Sequence, residues 1–132
     1  MTEAQLARGV EVFAALNFVL MGLSHLLQPR QWVRFFAKLR EMGEIGSFVN
    51  AIPTLFMGSI IVAFHSIWTW PAATLTVLGW IYLVKSLILL VAPRVGLKSM
   101  SLAEGGSLVK FRVAGLVLLS FGVFLGYLAL QG

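Results

Sequence analysis

The chain has 132 residues, 59% of them hydrophobic and only 11% charged, which leaves too few polar side chains to cover a water-soluble domain of this size. A soluble enzyme or binding domain is thereby excluded, lipid becomes the outer solvent, and spans of about 20 residues use up most of the length, so there is one domain. Ten Lys and Arg against five Glu give a net charge of +5, but no basic face interleaved with exposed aromatics exists to suggest nucleic acid; basic residues beside apolar spans set topology and can touch anionic lipid head groups.

The first span is expected from about residue 4 to 28, with an apolar stretch from Val12 to Leu27 and Pro29 as its breaker. Its N-terminal flank carries Glu3 and Glu11 with a single Arg8, and no small-residue cleavage pattern follows His25, so the segment reads as a retained span and not a secretory signal. Arg8 and Glu11, three residues apart, form a local surface pair on this reading. If Glu11 instead turned inward, it would stand at a depth to meet His65.

From 30 to 40 the pattern changes. Trp32, Phe35, Phe36 and Leu39 recur at helical spacing while Arg30, Arg34 and Lys38 occupy another face, which describes a short amphipathic helix lying in the membrane interface. Gly43 and Gly46 mark the turn into a second span at about 47–68, in which Pro53 is expected to produce a kink. Thr69, Trp70 and Pro71 form a tight link to a third span at about 72–92, closed by Pro93. The connector 94–106 reads as a flexible basic loop with Gly96, Gly105 and Gly106, and the last span covers about 107–130. The expected fold is therefore an all-α integral membrane four-helix bundle.

Orientation follows from the basic residues. Arg30, Arg34, Lys38 and Arg40 fall in the first connector, and Arg94, Lys98, Lys110 and Arg112 in or beside the third, whereas the second connector and the C-terminal tail have none. The positive-inside rule makes these connectors cytoplasmic and puts both termini outside, as for a multi-pass protein of a bacterial inner (plasma) membrane.

Polar residues inside spans are the positions lipid rejects, and Asn17, Thr54, His65, Lys85 and His25 stand out. At about 1.5 Å per residue, Asn17, Thr54 and Lys85 reach similar depth. Ser47, Asn50, Thr54, Gly58 and His65 form one stripe on the second helix; Asn17, Ser24 and Gln28 form a face on the first with His25 at its margin, and Thr74, Leu78 and Lys85 align on the third. Joined inward, these faces would make a polar track from His65 past Thr54, Asn17 and Lys85 to His25, a pathway for a ligand or ion. The bland alternative has Lys85 snorkelling to the nearer interface and His65 bonded to a carbonyl or serine. Without cysteine there is no disulfide or thiolate chemistry, no metal-ligand spacing is present, and no cofactor or catalytic group is expected. On the last helix Gly115, Gly122 and Gly126 provide a small-residue face for helix packing, either within the chain or between copies.

The segment Gly22-Leu-Ser-His-Leu-Leu-Gln-Pro29, followed by Trp32, Phe35, Phe36 and a glycine-bearing turn, resembles the small four-helix bacterial membrane proteins of the DoxX-like group. The resemblance covers about the first half of the chain. It implies a compact four-helix unit that serves as an accessory to a membrane redox or transport system. Three functions follow as expectations: an interaction or accessory subunit, homo-oligomeric or bound to a membrane protein partner; a small-solute or ion transporter or channel working through Lys85; and a ligand-binding accessory of a membrane enzyme.

Overall fold

The computed structural model describes residues 1–103 and 107–131. Among these the structure is all-helical: α1 (Glu3–Leu27), α2 (Pro29–Glu41), α3 (Glu44–Phe64), α4 (Ala73–Val91), α5 (Pro93–Ala103) and α6 (Leu108–Gln131). Four of them, α1, α3, α4 and α6, are long and apolar enough to cross a bilayer. The chain is a multi-pass membrane protein with α2 and α5 as short connecting helices. An even number of crossings leaves both termini on one side, here called the termini side, and α2 and α5 on the other, the basic side.

Local chemistry accounts for the boundaries. Thr2 and Gln5 form a reciprocal capping box at the start of α1, the Gln5 amide donating to Thr2 Oγ1 (3.2 Å) and the Thr2 amide to Gln5 Oε1 (2.9 Å). Pro29 disfavours helical geometry at Gln28, where α1 stops, and its locked φ opens α2. Gly43 turns the chain into α3 with φ +67°, a conformation that glycine adopts without penalty. Helix α3 continues through Pro53, beside which the Thr54 hydroxyl donates to the Ala51 carbonyl (2.9 Å).

Two sequence expectations are corrected. The connector expected as a loop from 94 is helical up to Ala103, because Pro93 supplies a ready first helical residue and α5 docks on the bundle; a Cβ at Gly96 would lie 2.5 Å from Ser47 Oγ. Gly105 and Gly106 lie outside the described residues. The second span also ends at Phe64 and not near Trp68, for a reason found in the site below.

The bundle is built from two tightly apposed pairs. In α1/α6, a Cβ at Gly22 would stand 2.5 Å from the Leu119 amide nitrogen, one at Gly115 2.8 Å from the Gly22 carbonyl oxygen, and one at Gly122 2.7 Å from the Val19 nitrogen. Backbones meet there, as small residues allow in lipid. In α3/α4 a Cβ at Gly58 would lie 2.9 Å from the Leu83 nitrogen. Val10, Ala14, Ala15, Phe18, Ile61, Leu75 and Leu125 form the apolar core that joins the pairs, and Leu39, Ala51, Leu89 and Met100 form a second cluster on the basic side.

Candidate functional site

On the termini side the two pairs meet through a buried polar junction. Glu11 of α1 projects inward and its Oε1 accepts a hydrogen bond from His65 Nε2 at 2.9 Å; His65 is fully buried and Glu11 is 7% exposed. The other imidazole nitrogen, Nδ1, is 3.0 Å from Thr76 Oγ1 on α4. Thr76 Oγ1 also lies 2.8 Å from the Ile67 carbonyl and 3.1 Å from that of His65, and accepts from the Ile67 amide at 3.2 Å. Those contacts explain why α3 ends early. A helix broken inside a membrane must have its freed backbone groups satisfied by protein, and the Thr76 hydroxyl accepts from the Ile67 amide and can donate to one of the two carbonyls of the 65–67 turn. The hydroxyl carries one proton. If it goes to the Ile67 carbonyl, Nδ1 is a donor to Thr76; if it goes to Nδ1, the ring accepts.

The Arg8–Glu11 surface pair is thus replaced by Glu11–His65, and Arg8 is exposed. Glu11 is buried together with Ala7, Val10, Ala14, Ala15, Phe18, Gly22 and His25, the other residues α1 buries. Packing chose that face because small residues permit close approach to α6, and Glu11 was carried inward with them. Thr76 was not among the residues singled out in the sequence; its only sign was a hydroxyl eleven residues after His65, in the helix that follows.

The expected face of Asn17, Ser24 and Gln28 does not point into the bundle. Asn17 is half-buried and its Nδ2 donates to the Phe13 carbonyl (2.9 Å), while Gln28 is exposed. Thr54 is half-buried and bonded to its own helix, and Lys85 is exposed. Among the described residues no hydrogen bond joins Asn17, Thr54 and Lys85. On α4 the buried face runs through Thr76, Gly79, Ser86 and Leu89 instead of Thr74, Leu78 and Lys85. The α3 stripe does face inward at Ser47, Asn50, Gly58 and His65. Ser47 Oγ donates across to the Leu89 carbonyl at 2.8 Å, tying α3 to α4 on the basic side.

His25 is buried at the basic side. Its Nδ1 lies 2.7 Å from the Met21 carbonyl, which can only accept, so Nδ1 carries the proton. The ring stacks on Trp32 (centroids 4.2 Å apart) and lies 5.9 Å from Phe111 of α6, while Trp32 Nε1 donates to Ser24 Oγ at 2.8 Å and Phe36 stacks on Phe111 at 5.6 Å. Helix α2 therefore folds Trp32 and Phe36 onto the bundle and leaves Arg30, Arg34, Phe35 and Lys38 exposed. The glycine face of α6 is spent within the chain at Gly115 and Gly122; Gly126 is looser, a Cβ there meeting the Ala15 Cβ at 3.8 Å.

Compared with family models, curated proteins and solved structures, the chain shows no match.

Proposed function

We propose that the chain is an accessory or interaction module of a bacterial-type inner membrane, working as a homo-oligomer or bound to a membrane protein partner, and not a pore within one chain. One observation carries this reading: at the level where a solute path was expected, the space between the helix pairs is filled. Phe18 lies 5.6 Å from Phe121 and 6.3 Å from Tyr82 between ring centroids, Ile61 and Leu125 are fully buried, and Lys85 is exposed. A water path needs polar lining and room for the water, and an apolar packed core has neither. The likeness of the Gly22 to Pro29 segment to the DoxX-like group supports the same reading, since that group implies an accessory unit.

The basic connectors are cytoplasmic and both termini outside in this proposal. A cysteine introduced at Gln131 of the cysteine-free chain should react with a membrane-impermeant maleimide on intact cells, and one at Lys38 only after permeabilisation; the reverse pattern inverts the topology. The functional test is the mass of the protein extracted in mild detergent or native nanodiscs. Several copies, or a complex with another membrane protein, are expected, and a bare monomer overturns the proposal. A second reading, proton-linked transport of an ion or small solute, draws on the Glu11–His65 couple and needs several copies to provide a path. It requires solute flux in proteoliposomes that is lost in Glu11→Gln.

A further inference from the structure

On the lipid-facing flank of the α3/α4 pair an open groove of about 300 Å³ runs down to α5. Its walls toward the bilayer centre are Ile81 and Val84 of α4, Ile88 lies on the basic side of Lys85, and its polar side chains are Asn50, Lys85 and Ser99. Asn50 and Lys85 each lie six residues from the basic-side end of their helices, about 9 Å at the helical rise, so they stand at one depth. Asn50 is 8% exposed and its Nδ2 is buried with no hydrogen-bond partner. Lys85 is exposed on this face and makes no ion pair among the described residues. A buried amide donor and an ammonium are each costly to leave unmatched next to hydrocarbon. Both are donors, and Glu44, at the basic-side start of α3, is held by Arg94 (3.0 Å). What the groove lacks is an anionic acceptor with an apolar extension pointing to the bilayer centre.

We propose that this groove binds one acidic glycerophospholipid of the leaflet on the basic side. The phosphate accepts from Lys85, with its stem extended toward the interface, from the Ser99 hydroxyl and, once its side chain turns into the groove, from the Asn50 amide, while an acyl chain lies along Ile81 and Val84. The polarity of the groove along the membrane normal matches that of the lipid, with its donors toward the basic side and Ile81 and Val84 deeper. The site does not depend on the accessory reading, since a monomer could hold the lipid as well as an oligomer.

The test is native mass spectrometry of protein released from nanodiscs of mixed phosphatidylglycerol and phosphatidylcholine, counting lipid retained per protomer. One phosphatidylglycerol in preference to phosphatidylcholine is expected. Lys85→Gln should lower its retention about tenfold, the size of a lost charge-assisted hydrogen bond, and Lys85→Arg should restore it. Should Lys85→Gln fail to fold, Val84→Trp, which fills the groove from an exposed position, should displace the lipid. Arg34→Gln/Lys38→Gln on α2 should leave retention unchanged. Equal retention of the two lipids, loss caused by the α2 variant and not by the groove variants, or displacement of phosphatidylglycerol by equimolar oleate would each overturn the proposal.

Discussion

The chain's two histidines are both buried inside the bundle, at opposite membrane faces, and they do different work. His65 spends both ring nitrogens on side chains of other helices, Glu11 of α1 and Thr76 of α4, and so ties the α1/α6 pair to α3/α4. His25 returns its Nδ1 proton to Met21 on its own helix and offers its flat face to Trp32, acting as an aromatic wedge that seats α2. The comparison separates two ways of burying a polar group in a membrane. One satisfied within its own helix brings its partner with it and leaves tertiary packing to its apolar surface; one satisfied across helices makes the tertiary arrangement a condition of its burial.

The comparison is broken most strongly at His65. His65→Leu leaves Glu11 buried and unpaired and should cost about 3–5 kcal/mol, whereas Glu11→Leu/His65→Leu should cost markedly less than the two single changes added together. Thermal unfolding in a fixed detergent, followed by circular dichroism, measures the cycle; additive costs would remove the pair as the link between the helix pairs. Gly115→Val comes next. Its side chain would enter the Gly22 carbonyl and His25 Cβ, both 2.8 Å from the added Cβ, and overpacking at a backbone contact should lower stability by about 1–3 kcal/mol in the same assay. Since that seam is internal, the variant's oligomer mass should track its unfolding and not precede it.

Smaller effects sharpen the basic-side half. Trp32→Phe keeps the stack on His25 but removes the bond to Ser24 and should cost about 1 kcal/mol; a loss as large as that at His65 would mean that α2 is a tertiary tie like the junction across the membrane. Thr54→Val and Asn17→Leu, whose polar atoms serve only their own helices, should each shift stability by about 0.5 kcal/mol or less. A drop comparable to Trp32→Phe would return them to the bundle interior.

The spans, the amphipathic segment after Pro29 and the all-helical class were legible because they depend on apolar run length, on spacing of aromatic and basic residues and on proline punctuation, all local properties. The α3 stripe was legible for the same reason, since Ser47, Asn50, Gly58 and His65 repeat on one face. The α1 face was not. Asn17 and Ser24 looked like interior polarity, yet an asparagine can satisfy itself on the carbonyl four residues back, and the line of Ala7, Ala14, Ala15 and Gly22 was preferred for its close fit to α6.

What the sequence determined by itself was therefore how many times the chain crosses lipid and that Pro29 and Pro93 each end one helix, because lipid imposes length and backbone satisfaction on each segment separately. Only the tertiary structure decided that Glu11 belongs to His65 and not to Arg8, that Thr76 ends α3 at Phe64, that the stretch after Pro93 is a docked helix, and that Lys85 faces outward beside Asn50. Each of these depends on which helix lies next to which, and in a membrane that choice is made by close packing and hydrogen bonds between residues far apart in the chain, with no apolar pattern along one helix to announce it.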